Sequence, residues 1–156
     1  IRAAESDVRV IGICNGFQVL TECGLLPGAL QRNSGLHFIC DTPLIEVVQD
    51  QSSFTSRYQQ GELIRLPIAH GEGNYICDEL TLRHLKAENR IVFRYASASN
   101  PNGSIDNIAG ILNPKGNVLG MMPHPERAIA DWMGSSDGRR LFESALNLFP
   151  ETADAA

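Results

Sequence analysis

The sequence predicts an α/β fold, a mainly parallel open sheet flanked by helices, and three observations carry that expectation. Val8, Val10, Ile11 and Ile13 form a nearly continuous apolar run near the start, the pattern of a strand buried on both faces. Directly beyond it, Gly16, Val19, Leu20 and Cys23 recur at the i, i+3, i+4, i+7 spacing of a helix. Further short apolar runs then follow to the end of the chain, separated by turn residues rather than linkers. On such a sheet a site is expected where strands end, which here means Cys14.

The joint between the first two elements, VIGICNGFQVL (10–20), admits two readings. Asn15-Gly16 between apolar runs is a strong hairpin signal, and Phe17, Val19, Thr21 and Cys23 keep the period of a strand. Gly12-Ile13-Cys14-Asn15-Gly16 also fits a nucleophile elbow, a sharp turn from strand into helix that holds a reactive side chain. Periodicity alone leaves both open. Gly24 and Pro27 stop whichever element this is.

Leu44–Val48 and Leu63–Ile68 read as strands, and Thr81–Glu88 as a short helix. Ile91–Tyr95, Ile108–Leu112 and Val118–Met122 read as further strands. The segments NPNGS (100–104) and NPKGN (113–117) carry turn chemistry, with Pro fixing φ and Gly supplying positive φ. Ser136 is expected to cap a last helix with a buried stripe of Leu141, Phe142, Ala145, Leu146 and Phe149. Pro150 ends it, so residues 1–149 read as one domain and 150–156 as a flexible tail.

A chain of 156 residues supports one domain with its own core. A net charge of −5 with no Lys/Arg cluster argues against a nucleic-acid partner, and no apolar run reaches membrane-spanning length. Cys14, Cys23, Cys40 and Cys77 form no C-x-x-C pair, and no secretory signal precedes them. Reduced thiols in a cytoplasm are therefore expected, with the last three cysteines packing.

The second informative stretch is Gly120-Met-Met-Pro-His-Pro-Glu-Arg127. His124 and Glu126 follow an apolar run and stand two apart, so in an extended segment they project to one side. A carboxylate there can hold one imidazole nitrogen while the other faces a nucleophile. His70-Gly-Glu72 is a second His-x-Glu, and either alone is weak evidence. A zinc nucleobase deaminase also needs H-x-E but requires a following P-C-x-x-C, which the sequence lacks.

Taken together, G-x-C-x-G after one strand and P-H-P-E after a later one resemble the class I, triad-type glutamine amidotransferases. The stretches 12–30, 66–75, 100–104, 108–127 and 134–146 narrow the resemblance to the glutaminase subunit of phosphoribosylformylglycinamidine synthase. The resemblance favours the elbow over the hairpin and implies a flavodoxin-like sheet. It also implies that Cys14 is the nucleophile, His124 the base and Glu126 its orienting partner. The backbone N–H of Asn15 is the implied oxyanion donor, and Gln18, Ala69 and His70 are the implied contacts to glutamine. A thiol at the start of a helix is expected to have a stabilised thiolate, and the glycines either side of Cys14 are expected to relieve Cβ clashes.

The same resemblance implies no cofactor on this chain. ATP and Mg are expected on a large synthase subunit that also binds formylglycinamide ribonucleotide, with a small subunit bridging the complex. A stand-alone cysteine hydrolase of the same scaffold, of γ-glutamyl hydrolase or peptidase type, is the alternative, and a truncated non-catalytic fragment is another. The chain opens on Ile1, and the family's first strands and second oxyanion donor are not visible in it. At roughly 30 residues per βαβ unit, on the order of 60–80 residues are expected to be missing.

Overall fold

A computed structural model of the chain describes residues 1–6, 8–96 and 100–147. The expected tail and Phe149 lie outside the described residues. A short helix α1 (Arg2–Glu5) precedes strand β1 (Val10–Ile13), which runs straight into helix α2 (Asn15–Glu22). The elbow is therefore present and the hairpin is not. Short strands β2 (Ala29–Gln31), β3 (Ile39–Asp41), β4 (Leu44–Val47), β5 (Leu63–Arg65), β6 (Ile68–His70) and β7 (Asn74–Ile76) follow. Helix α3 (Glu79–Ala87), strands β8 (Ile91–Tyr95), β9 (Ile108–Leu112) and β10 (Val118–Met121), and helix α4 (Arg139–Ala145) complete the order.

Six strands form one sheet in the order β1-β10-β9-β8-β4-β5, and two small ribbons pair β2 with β7 and β3 with β6. The α/β class holds, but the expectation of a mainly parallel sheet does not. Only β1 and β10 run parallel, with Val10 opposite Val118, and every other pair in the sheet is antiparallel. Strands joined by a tight turn must return antiparallel, and NPKGN is such a turn between β9 and β10. There Gly116 takes φ 75°, and Asn113 Nδ2 donates to Asn117 Oδ1 at 2.9 Å.

Continuous apolar runs arise here because the sheet is covered on both sides. Ala109, Leu112, Leu119 and Met121 enter one core cluster with Phe54, Tyr58 and Leu141. Ile108, Ile111 and Val118 enter the other with Phe17, Leu20 and Leu85. Two-sided burial removes polar alternation from a strand whatever its direction.

Three element boundaries also differ from expectation. Leu63–Ile68 is two strands in different sheets, broken at Leu66-Pro67, since Pro has no N–H to continue a ladder. Helix α3 starts earlier because Asp78 accepts the Thr81 N–H at 2.7 Å. Helix α4 begins after Gly138 rather than under a Ser136 cap, and Leu146 is exposed. A Cβ at Gly138, which precedes the helix, would lie 2.2 Å from the Pro125 carbonyl oxygen, so that position has to be glycine. Among the described residues no helix is long and apolar enough to cross a membrane.

Candidate active site

Cys14 belongs to two elements at once. Its N–H donates to the Met121 carbonyl at 2.8 Å as the last rung between β1 and β10. Its carbonyl accepts from the N–H groups of Phe17 and Gln18, at 3.0 and 3.2 Å, as the first acceptor of α2. Meeting both demands in one residue forces φ 52° and ψ −107°, a conformation costing an L-residue about 1–3 kcal/mol.

Close packing under α2 supports the turn. A Cβ on Gly12 would sit 2.4 Å from Leu20 Cδ1 and 2.6 Å from the Gly16 oxygen, so only glycine lets the helix lie on the strand there. A Cβ on Gly120 of β10 would strike Phe17 and Leu26. Gly16 differs from the expectation, since beyond its chain neighbours and its own helix backbone nothing lies within 4 Å of where its Cβ would be.

The Cys14 side chain is buried, with Sγ 3.8 Å from the Ala69 carbonyl of β6. Burial pushes its thiol above the ordinary range, while the Asn15 N–H and the Arg127 charge pull it down and the Glu126 charge pushes it up again. Burial wins, so the helix start does not by itself make the resting group a thiolate. The proton has to be removed as the sulfur attacks.

A base with that capacity stands on the same cleft. The His124 N–H donates to the Pro67 carbonyl at 2.7 Å, which ties the strand that leaves β10 to the broken joint between β5 and β6. His124 Nδ1 lies 2.6 Å from Glu126 Oε1. The intervening Pro125–Arg127 is a 3-10 turn rather than the expected extended segment, but the carboxylate still reaches the ring. A carboxylate can only accept, so Nδ1 carries the proton and Nε2 is left as the basic nitrogen. Nε2 is buried and has no hydrogen-bond partner among the described residues.

A cleft of about 470 Å³ brings together Cys14, Asn15, Gln18, Ala69, His70 and His124. Of the residues expected from the sequence, only Glu126 is outside its lining, where it backs His124. The cleft also takes in Glu72 of the second His-x-Glu, and Phe38 and Arg127, to which the sequence reading gave no role. Arg127 adjoins the P-H-P-E motif and its Nε lies 3.6 Å from Glu126, a contact that a basic residue directly after the motif signals. Among the described residues no cluster of three His, Cys, Asp or Glu is set to hold a metal.

The chain has relatives in sequence and in fold. Residues 3–153 match the family model of the CobB/CobQ-like glutamine amidotransferase domain. PurLQS from Thermotoga maritima is similar over 94% of this chain and 64% of its own, with 45% identity and a TM-score of 0.84. The glutaminase domain of Trypanosoma brucei CTPS with bound acivicin aligns over 93% of this chain and 62% of its own, at 13% identity and a TM-score of 0.59. A glutamine amidotransferase from Thermotoga maritima aligns over 94% and 58%, at 19% identity and a TM-score of 0.53. The last two likenesses concern the fold alone. The chain spans less than two thirds of the length of each of these matched chains.

Proposed function

Because the chain belongs to the CobB/CobQ-like glutamine amidotransferase family, we propose that it is the glutaminase subunit of phosphoribosylformylglycinamidine synthase, hydrolysing glutamine to supply ammonia in purine biosynthesis. The observation that carries this reading is the Cys14 elbow on one cleft with the Glu126-oriented His124. The 45% identity to PurLQS supports the choice of subunit within the family.

In this mechanism His124 Nε2 takes the Cys14 thiol proton as Sγ attacks the side-chain amide carbon of glutamine. The oxyanion that forms is held by the Asn15 N–H at the start of α2, a type of donor whose removal costs roughly 10²–10³ in rate in a protease precedent. Collapse breaks the C–N bond, and the imidazolium returns its proton to the departing amine, which leaves as ammonia. A water deprotonated by His124 then attacks the glutamyl thioester, the C–S bond breaks, and the proton on His124 returns to Sγ as glutamate leaves. Glu126 keeps the ring in the tautomer and orientation both halves need. Gln18, Ala69 and His70 hold the substrate along the cleft.

The ATP- and Mg-dependent step and formylglycinamide ribonucleotide belong to a large partner subunit, with a small subunit bridging the assembly in the cytoplasm. Cys14→Ala in the reconstituted complex is expected to abolish glutamine-dependent synthesis and leave ammonia-dependent synthesis intact. Equal loss of both, in a complex that still assembles, would refute this division of labour.

A further inference from the structure

The NPNGS segment (100–104) lies between β8 and β9, and its Asn102 and Ser104 are buried. The Ser104 N–H donates to Asn102 Oδ1 at 3.1 Å. A backbone N–H can only donate, so the amide oxygen faces Ser104 and Nδ2 donates to the Tyr95 hydroxyl at 3.0 Å. The Ser104 hydroxyl has two acceptors within reach, Asn102 Oδ1 at 2.7 Å and the Gly73 carbonyl at 3.2 Å. The first is the ordinary O–H···O distance and the second lies beyond it, so the proton points at Asn102. That leaves an Oγ lone pair for the Tyr75 N–H, which donates to it at 3.1 Å.

Tyr75 in turn is packed against α2. Its buried ring stacks on Phe17, with centroids 5.6 Å apart and planes within 15°. Its hydroxyl donates to the Pro27 carbonyl at 2.8 Å, just past that helix. Phe17 stands in the first turn of α2, and its N–H donates to the Cys14 carbonyl at 3.0 Å. A continuous series of contacts therefore runs from Asn102 through Ser104, Tyr75 and Phe17 to the strained backbone of Cys14. The cleft wall after β6 is held separately, by Asn33 in the loop between β2 and β3. Asn33 Oδ1 accepts the Gly73 N–H, Nδ2 donates to the His70 carbonyl, and its own N–H donates to the Gly71 carbonyl, each at 2.9 Å.

We infer that Ser104, its hydroxyl turned by Asn102, is a positioning residue for the nucleophile. It fixes Tyr75, the platform that sets where the first turn of α2 lies and so where Cys14 Sγ stands relative to His124. The catalytic consequence rests on the glutaminase reading; the support series does not. Reaction geometry tolerates little displacement, so losing the support lowers turnover. Substrate binding is spared, because Asn33 keeps the wall in place.

In the synthase complex, Ser104→Ala is expected to lower kcat for glutamate release at least about tenfold, since a shift of about 1 Å can cost on the order of 10². KM for glutamine is expected to stay nearly unchanged. Tyr75→Leu removes the ring and is expected to act alike, whereas Tyr75→Phe keeps the ring and is expected to retain kcat. Both losses act through one series, so the double variant Ser104→Ala/Tyr75→Leu is expected to lose little more than the worse single. A raised KM with kcat unmoved, or losses that multiply, overturns the inference. If Ser104→Ala does not fold, Ser104→Cys, with a weaker acceptor in similar space, carries the same comparison. Hydrogen exchange of the wild-type chain needs no variant. The Tyr75 amide is expected to exchange as slowly as those of the β1–β10 ladder, and exchange at the rate of exposed loops overturns the support series. A wild-type complex that releases no glutamate removes the catalytic half along with the glutaminase reading, while exchange still decides the support.

Discussion

Gly12→Ala and Gly16→Ala are expected to act in opposite directions, although the G-x-C-x-G motif treats the two glycines alike. A Cβ on Gly12 would lie 2.4 Å from Leu20 Cδ1, 2.6 Å from the Gly16 oxygen and 2.7 Å from its carbonyl carbon. The leucine methyl can turn aside, but the Gly16 backbone is part of α2 and cannot. Carbon atoms pack comfortably at about 3.5–4.0 Å, so the helix has to back off by about 1 Å. Overpacking of this kind costs about 1–3 kcal/mol, roughly 2–12 °C in Tm for a domain of this size. Cys14 opens that helix, so the sulfur moves relative to His124, and a misplacement of about 1 Å can cost on the order of 10² in rate. Alanine at Gly16 meets nothing within 4 Å beyond its chain neighbours and its own helix backbone and gains about 0.5–1 kcal/mol as a better helix former. Thermal unfolding and glutamate release in the complex, measured on both variants, are the assays. Equal damage from the two substitutions would refute the packing argument for the elbow.

His124→Ala is expected to be nearly as damaging to glutamate release as loss of the Cys14 thiol, with Glu126→Gln milder by roughly one to two orders of magnitude, as for the orienting carboxylate of a dissected protease triad; the reverse order would make Glu126 the proton carrier. Alkylation of Cys14 by a haloacetamide in the free chain is expected to keep accelerating beyond pH 9.0, the ordinary thiol value, because burial raises the group; a plateau below that pH would show a preformed thiolate. His70 is a base whose folded value, about 4, lies below its ordinary 6.5. The unfolded chain therefore binds that proton first, and the stability tied to neutral His70 is complete above pH 6.5 and lost as the pH falls towards 4. Denaturant titrations should show wild type losing more unfolding free energy across that window than His70→Phe, and equal slopes would mean that the ring is not held neutral.

The elbow was legible because the residues that define it are adjacent, and their chemistry is local. The His124–Glu126 contact was legible for the same reason, even though the backbone between them is a turn rather than extended. Strand direction was not. Ile108–Leu112 and Val118–Met121 are buried at every position, and that pattern reports two covered faces rather than the sense of the neighbouring strand. The break at Leu66-Pro67 was hidden inside an apolar run, although the proline marked the place. Ser136 looked like a cap because sequence shows a side chain's capacity to accept but not where the helix starts, which is after Gly138. Asn33 gave no signal at all. It is one polar residue in a loop, and one of its partners, Gly73, lies 40 positions away.

The pairing of β1 with β10 bears on how the protein comes into being. Val10 meets Val118, and Cys14 Sγ meets a carbonyl 55 positions along the chain. Closures over such distances are entropically late events, and topologies built on them fold slowly compared with local ones. During synthesis Cys14 emerges on an unfinished strand, well before His124, its proposed base, has been made. The proposed nucleophile and base are thus brought together only as the sheet closes. On the proposed mechanism a nascent or partly unfolded chain lacks the oriented base, so glutamine hydrolysis is expected only from molecules that have finished folding.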